Sequence, residues 1–93
     1  MDTYAQAASA ILKGQMEIIG PIALDQAKRV PGLIITTPEN VQIQGEDKKA
    51  VLTNLVNAFQ SIFGKASVEV CKESFNPYRK MIPLDQVPDI LKN

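Results

Sequence analysis

Hydrophobic residues return every three or four positions in two segments of the chain, which is the pattern of an amphipathic helix with one buried face. The first segment covers residues 3–19 and the second covers residues 47–63. The second segment opens on Asp47, a favoured N-cap residue, and is followed by Gly64, a favoured residue just past a helix end. We therefore predict two main helices over these ranges.

The N-terminal third contains the signals for a helix start and a helix break. Thr3 fits a capping box, and Asp2 is the competing N-cap. Gly20 and Pro21 then interrupt the helical pattern, since proline is accepted in the first turn of a helix and is costly in its interior. We predict a second helix over residues 21–30, and a single kinked helix is the alternative.

A β-hairpin is predicted between the second helix and the helix over residues 47–63. Residues 33–36 are apolar and β-branched, and residues 41–44 alternate apolar with polar side chains as a half-buried strand does. The four residues between them have the composition of a turn. Because an isolated two-stranded hairpin is only marginally stable in water, it has to pack on the helices or pair with a further strand of this chain or a partner.

The pattern over residues 66–75 fits two kinds of structure. Residues 67–70 alternate polar and apolar side chains as in a strand. Ser67 is also a good N-cap, and Val68, Cys71 and Phe75 fit one face of a helix. We favour the helix.

These elements predict an α+β fold: two N-terminal helices that meet at Gly20 and Pro21, a β-hairpin, a long core helix, a further helical segment and a short C-terminal tail. We place one domain over residues 1–76 and a tail over residues 77–93 that docks on the domain or on a partner. The expected core consists of the apolar residues on these faces, namely Ile11, Leu12, Ile19, Ile22, Ile35, Val41, Ile43, Leu52, Leu55, Val56, Phe59, Ile62 and Phe63.

The composition excludes several kinds of functional site. The 93 residues include no histidine, which excludes histidine-based triads and histidine-ligated metal sites. The single cysteine, Cys71, excludes an intramolecular disulfide and a multi-cysteine zinc site. Ten basic residues balance ten acidic ones, and zero net charge argues against non-specific binding of nucleic acid. We expect no catalytic residues, no metal and no cofactor.

The apolar runs are also too short for a membrane protein. The longest runs reach about four residues, whereas a spanning helix needs about 20. The N-terminus lacks the basic and apolar pattern of a signal peptide, and low cysteine content suits a reducing compartment. We expect a cytoplasmic protein without membrane contact.

Three local features have both a functional and a structural explanation. Gly20 and Pro21 form a helix junction whose second helix starts with amide groups that could hold an anion, although a break required by packing is the simpler explanation. Glu46 and Asp47 have the positions of capping residues rather than of a catalytic pair. Cys71 has no histidine to act as its base, so we expect a small buried apolar residue.

Basic residues gather in the C-terminal third. Between Lys65 and Lys80 there are four positive and two negative side chains, and a tyrosine among them could stack a base. A solvated face is the simpler explanation, so nucleic acid is not the expected partner. The residues of this alternative nucleic-acid site are Lys65, Lys72, Tyr78, Arg79 and Lys80.

One string resembles a known kind of module. The sequence IIGPIA at residues 18–23, with Ala27 following, resembles the GPIA helix module found beside receiver, kinase and other regulatory domains of bacterial signalling proteins. A second part of the chain is also similar to this module: a helix that ends at residues 62–64 and the SVEV string that follows at residues 67–70. The match spans about residues 8–75. The resemblance implies an accessory regulatory role and no catalytic residues.

We therefore expect a non-catalytic regulatory or protein-interaction module that forms a homodimer and binds another protein. A chain of this length has a thin core, and its hairpin lacks strands to complete a sheet. A nucleic-acid-binding module is the alternative, and a small enzyme or anion-binding protein is the third hypothesis. The expected interaction residues are Gly20 and Pro21 at the helix junction and Leu84, Val87, Ile90 and Leu91 in the tail.

Overall fold

The computed structural model describes residues 2–92 and confirms the α+β class. Residues 1 and 93, the outer ends of the predicted domain and tail, lie outside the described residues. Four α-helices and one antiparallel hairpin follow each other in the predicted order along residues 2–92. Their bounds are α1 Thr3–Ile19, α2 Ile22–Lys28, β1 Leu33–Thr37, β2 Asn40–Ile43, α3 Lys48–Phe63 and α4 Lys65–Phe75.

Aspartate side chains cap the two long helices. The Asp2 carboxylate accepts a hydrogen bond from the Ala5 N–H at 2.8 Å, so Asp2 and not Thr3 is the N-cap of α1. Asp47 caps α3 as predicted, because its carboxylate accepts from the Ala50 N–H at 3.0 Å. Each cap satisfies an amide that would otherwise have no partner inside the helix.

The break between α1 and α2 is complete. Gly20 has φ 73°, a left-handed conformation outside the helical region, so the alternative of one kinked helix is wrong. Helix α2 is shorter than predicted at both ends. It ends before Val30 because the Val30 N–H donates to the Ala27 carbonyl, three residues back, instead of continuing the α-helical pattern.

Helix α4 confirms the preferred interpretation of residues 66–75, but its cap differs from the predicted one. Gly64 ends α3 and is also the N-cap of α4, with φ 69°. Ser67 therefore lies inside the helix, where it is buried. The two helices share one residue as their connection, and this fixes the direction in which α4 leaves α3.

The hairpin packs on the N-terminal helices. Its register pairs Leu33 with Ile43 and Ile35 with Val41, with an irregularity before Thr37. Strand β2 lies against α1 and β1 lies against α2. The Ser9 hydroxyl also donates to the Pro38 carbonyl at the hairpin turn. Helix contacts thus supply the support that an isolated hairpin lacks.

Part of the predicted core was wrong. Ile22 and Ile62 are exposed, and Ile19, Ile35, Ile43 and Phe63 are only half-buried. The remaining predicted residues are buried, and the core also contains residues that the prediction missed. Many of the missed residues are alanines on α1 and α2, where a small side chain lets helices approach closely, and others lie in α4 and the tail. The missed apolar residues are Ala5, Ala7, Ala8, Ala23, Ala27, Val30, Leu33, Val51, Val68, Phe75, Ile82, Val87 and Leu91, whereas Cys71 is buried as expected.

The C-terminal tail packs on the rest of the chain through three short 3₁₀ turns, Asn76–Met81, Leu84–Gln86 and Asp89–Leu91. Ile82, Val87 and Leu91 are buried in the same core as the helices, and the last turn contacts α3 and α4. The tail therefore completes the core formed by the helices.

Candidate functional site

Two amide groups just after the Gly20–Pro21 junction are already hydrogen-bonded within the chain. The Ala23 N–H donates to the Gly20 carbonyl at 3.1 Å, and the Leu24 N–H donates to the Pro21 carbonyl at 3.0 Å. These bonds use two of the amides at the start of α2 that an anion would need, which favours the simpler explanation of a break required by packing. Pro21 itself is exposed.

The apolar tail residues mostly face this chain's own core. Val87 and Leu91 are buried, and Ile90 is half-buried. Leu84 is 74% exposed and is the one tail residue of the expected interaction set that is fully open to solvent. Val87 and Leu91 are consequently inaccessible to a partner while the tail is docked.

The basic residues of the C-terminal third do not form one basic surface. Lys72 pairs with Glu69, with 3.4 Å between Nζ and Oε2. A guanidinium N–H of Arg79 donates to the Leu91 carbonyl at 2.8 Å, and the group lies 5.4 Å from the centre of the Phe75 ring. Arg79 thus holds the tail on α4.

Acidic and neutral side chains share the same region of the surface. A shallow depression on α4 is lined by Glu69, Lys72, Glu73, Asn76 and Arg79. Lys65 and Lys80 are exposed, and Tyr78 is half-buried. Mixed charge of this kind lacks the positive excess that attracts a phosphate backbone.

Cys71 is fully buried between α1 and the rest of the core. Burial raises the pKa of its thiol to about 12, and a hydrogen bond from the Gln15 Nε2, 3.4 Å from Sγ, offsets this only in part. The group therefore remains a neutral thiol at physiological pH. Among residues 2–92, no set of three or more acidic, cysteine or histidine side chains is placed to hold a metal ion.

An apolar groove lies where the end of α1 meets the junction of α3 and α4. One wall consists of α1 residues and the other of residues on both sides of Gly64. The groove has a volume of about 210 Å³ and carries no charged side chain in its lining. The lining residues are Gln15, Ile18, Ile19, Phe63, Ala66, Ser67 and Val70.

A close approach of α1 and α4 lies beside this groove. A Cβ atom added at Gly14 would collide with the Ser74 Oγ and would lie 3.4 Å from the Val70 Cγ1. Glycine inside a helix costs about 1 kcal/mol relative to alanine, and here it allows the two helices to touch. The contact at Gly14 and the joint at Gly64 therefore determine how the two walls of the groove are placed relative to each other.

Three exposed isoleucines line the groove or lie close in the chain to residues that line it. Ile18 lines the groove and is 61% exposed, and Ile22 and Ile62 are each 44% exposed. Ile22 and Ile62 lie within three residues of the lining residues Ile19 and Phe63 in the chain. We call these three isoleucines and the groove the isoleucine surface.

The isoleucine surface was not among the sites predicted from the sequence. One signal was present in the adjacent pair Ile18 and Ile19, because consecutive helical residues point about 100° apart and rarely share one buried face. The packing partner of α1, however, lies about 50 residues further along the chain, and no periodic pattern identifies it.

Comparison with protein-family models, curated proteins and solved structures finds no match to this chain. Within residues 2–92, none of the helices combines the length and the apolar character required to cross a bilayer. The isoleucine surface is therefore interpreted from its own geometry.

Proposed function

We propose that this protein is a non-catalytic protein-interaction module that binds a partner protein through the isoleucine surface. The observation that carries this proposal is the exposure of Ile18 in the lining of an uncharged groove, together with the exposure of Ile22 and Ile62 close in the chain to its lining residues. Covering the exposed parts of these three side chains would contribute about 2–4 kcal/mol, since full burial of one isoleucine contributes about 1.5–3 kcal/mol. Exposed apolar area of this kind is typical of interaction sites.

The other candidate sites of the molecule are less suited to binding or chemistry, which supports the proposal. Lys72 is paired with Glu69 and Arg79 holds the tail, which weakens the nucleic-acid alternative. Cys71, the sole candidate nucleophile of the thiol type, is buried as a neutral group. Met81 and Leu84 of the tail are also exposed apolar residues, but neither of them lines the groove.

Three finer expectations remain predictions. Homodimer formation would use either the isoleucine surface or the outer edge of the hairpin, where Ile34 is exposed. The role in bacterial signalling rests on the resemblance of residues 18–23, and the cytoplasmic location rests on composition.

The test of this proposal replaces exposed isoleucines by lysine. Ile18→Lys and Ile62→Lys place a charge at the ends of α1 and α3, where a cation is compatible with the helix dipole. Leu84→Lys is the matched control, because it replaces an exposed apolar residue on the tail. Circular dichroism first establishes that the variants keep the wild-type melting temperature.

Each immobilised variant is then used to capture proteins from cells of the source organism, with quantification by mass spectrometry. We expect at least one protein whose capture falls more than about tenfold with both isoleucine variants and stays unchanged with Leu84→Lys, because an unpaired charge at an apolar contact is strongly unfavourable. Sedimentation velocity on the same variants measures self-association. Identical capture and identical sedimentation for all four proteins would exclude the isoleucine surface as the interaction site.

A further inference from the structure

Gln15 is a buried polar side chain in the lining of the groove. Its residue is 1% exposed. The Nε2 group donates to the Ser67 carbonyl at 2.9 Å and lies 3.4 Å from the Cys71 Sγ. These two contacts use the donor side of the amide and fix the orientation of the side chain.

The acceptor side of the same amide belongs to a residue that lines the groove. Among residues 2–92, no group donates a hydrogen bond to the Gln15 Oε1. Every fully buried side-chain nitrogen or oxygen in that part of the chain has a partner, so Oε1 is not fully enclosed by the protein, and Gln15 lines the groove. An amide oxygen has two lone pairs, and a buried one without a donor is unfavourable.

The size of the groove limits what can reach this oxygen. Its volume is about 210 Å³, whereas a cavity of about 150 Å³ holds one benzene ring. By proportion, the groove accommodates about eight non-hydrogen atoms. The absence of charge in its lining favours a neutral molecule.

We propose that the groove is a binding site for a small neutral aromatic compound that carries a single O–H or N–H donor, of the phenol class. The ring packs between Ile18, Phe63 and Val70, and its hydroxyl donates to the Gln15 Oε1. A rigid ring loses less internal freedom on binding than an alkyl chain of equal size. This site does not depend on the proposed binding of a partner protein.

The test compares two probes of the same shape, p-cresol and p-xylene, which differ by a hydroxyl in place of a methyl group. Each is titrated into the full chain while amide and methyl resonances are followed by nuclear magnetic resonance. We expect saturable shifts at Ala66, Val70 and Ile18 with a dissociation constant of about 1 mM or below. We expect p-cresol to bind roughly 2- to 12-fold more tightly than p-xylene, the factor that one neutral hydrogen bond provides.

Two variants separate the hydrogen bond from the shape of the groove. Gln15→Met keeps an unbranched side chain without the amide, and we expect it to remove the preference for p-cresol while p-xylene still binds. Ala66→Leu fills the groove from an exposed position and leaves the core intact, so the assignment stays testable if Gln15→Met does not fold. We expect Ala66→Leu to weaken both probes at least about fivefold through loss of space.

Equal affinity of the two probes for the wild-type chain would overturn the role of the Gln15 Oε1. Shifts at residues outside the groove, or none up to about 10 mM, would overturn the site itself. Either result leaves the capture experiment with Ile18→Lys unaffected, because that experiment uses no small molecule.

Discussion

The contact between α1 and α4 at Gly14 leads to a quantitative expectation about stability. Glycine in a helix interior is about 0.8–1.0 kcal/mol less favourable than alanine. A Cβ at position 14 meets the Ser74 Oγ, while the Ser74 Cβ at 3.5 Å and the Val70 Cγ1 at 3.4 Å lie at ordinary contact distance. The obstacle is therefore one rotatable hydroxyl.

Removing the Ser74 hydroxyl should allow Gly14→Ala to gain the full difference in helix propensity between alanine and glycine. In a Ser74→Ala background we expect Gly14→Ala to raise the free energy of unfolding by about 1 kcal/mol, which is about 4–8 °C in melting temperature for a domain of this size. In the wild-type background the Ser74 side chain has to leave its rotamer, at a cost of about 0.5–1.5 kcal/mol, so Gly14→Ala should be neutral or slightly destabilising.

The four proteins of this double-mutant cycle are measured by urea and thermal unfolding with circular dichroism at a helix band. The expected coupling between positions 14 and 74 is about 0.5–1.5 kcal/mol, as for side chains in direct contact. An equal effect of Gly14→Ala in both backgrounds would show that α1 and α4 are further apart than described. Gly14→Leu serves as a control, since a side chain that is too large should destabilise in either background.

Two further results follow from titratable groups, the N-cap of α1 at Asp2 and the buried thiol of Cys71 on α4. Asp2 pairs with Lys48 at 2.7 Å and caps Ala5, and the Lys48 hydrogen bond holds the pKa of Asp2 below its ordinary value of 3.8. The stabilisation by the charged Asp2 carboxylate is therefore complete above pH 3.8 and is lost as the pH falls through the lower pKa of the folded state. We expect Asp2→Ala to lower the free energy of unfolding, measured with urea, by about 1 kcal/mol at pH 7 and to leave it unchanged in strong acid. We expect Cys71 not to react with a thiol reagent at pH 8 in the native chain, because burial raises the pKa of its thiol to about 12. In denaturant it should react stoichiometrically. A fast reaction of the native chain would contradict the buried position.

The parts of the fold that sequence predicted well are those set by local physics. Helices α1 and α3 have strong periodic faces and favoured caps, and the structure begins and ends them within about one residue of the predicted positions. The break at Gly20 was equally visible, because a glycine and a proline together rarely continue a helix.

The errors arise where distant packing decides the outcome. Ile22 lies one position from Ala23, and Ala23 with Ala27 forms the buried stripe of α2, so the larger residue points away from the core. Alanines were undervalued because their contribution comes from close helix contact and not from their own apolar area. Ser67 met the rule for a cap, yet Gly64 took that role because α4 follows α3 without a loop.

The candidate site was beyond sequence reasoning for the same reason. Gln15 and Ser67 lie 52 residues apart, and their hydrogen bond depends on the antiparallel contact of α1 with α4. Residue type alone indicates a polar position on an apolar face, and it does not indicate which acceptor or donor the fold brings to it.

The single-residue joint at Gly64 has a consequence for how the chain tolerates length changes. One extra residue there would turn every later side chain of α4 by about 100° around the helix axis. Cys71 and Phe75 would rotate out of the core, and the wall of the groove at Ala66 and Val70 would turn away from α1. The turn at Pro38, by contrast, joins two strands at the surface, and insertions there would leave the phase of every helix unchanged.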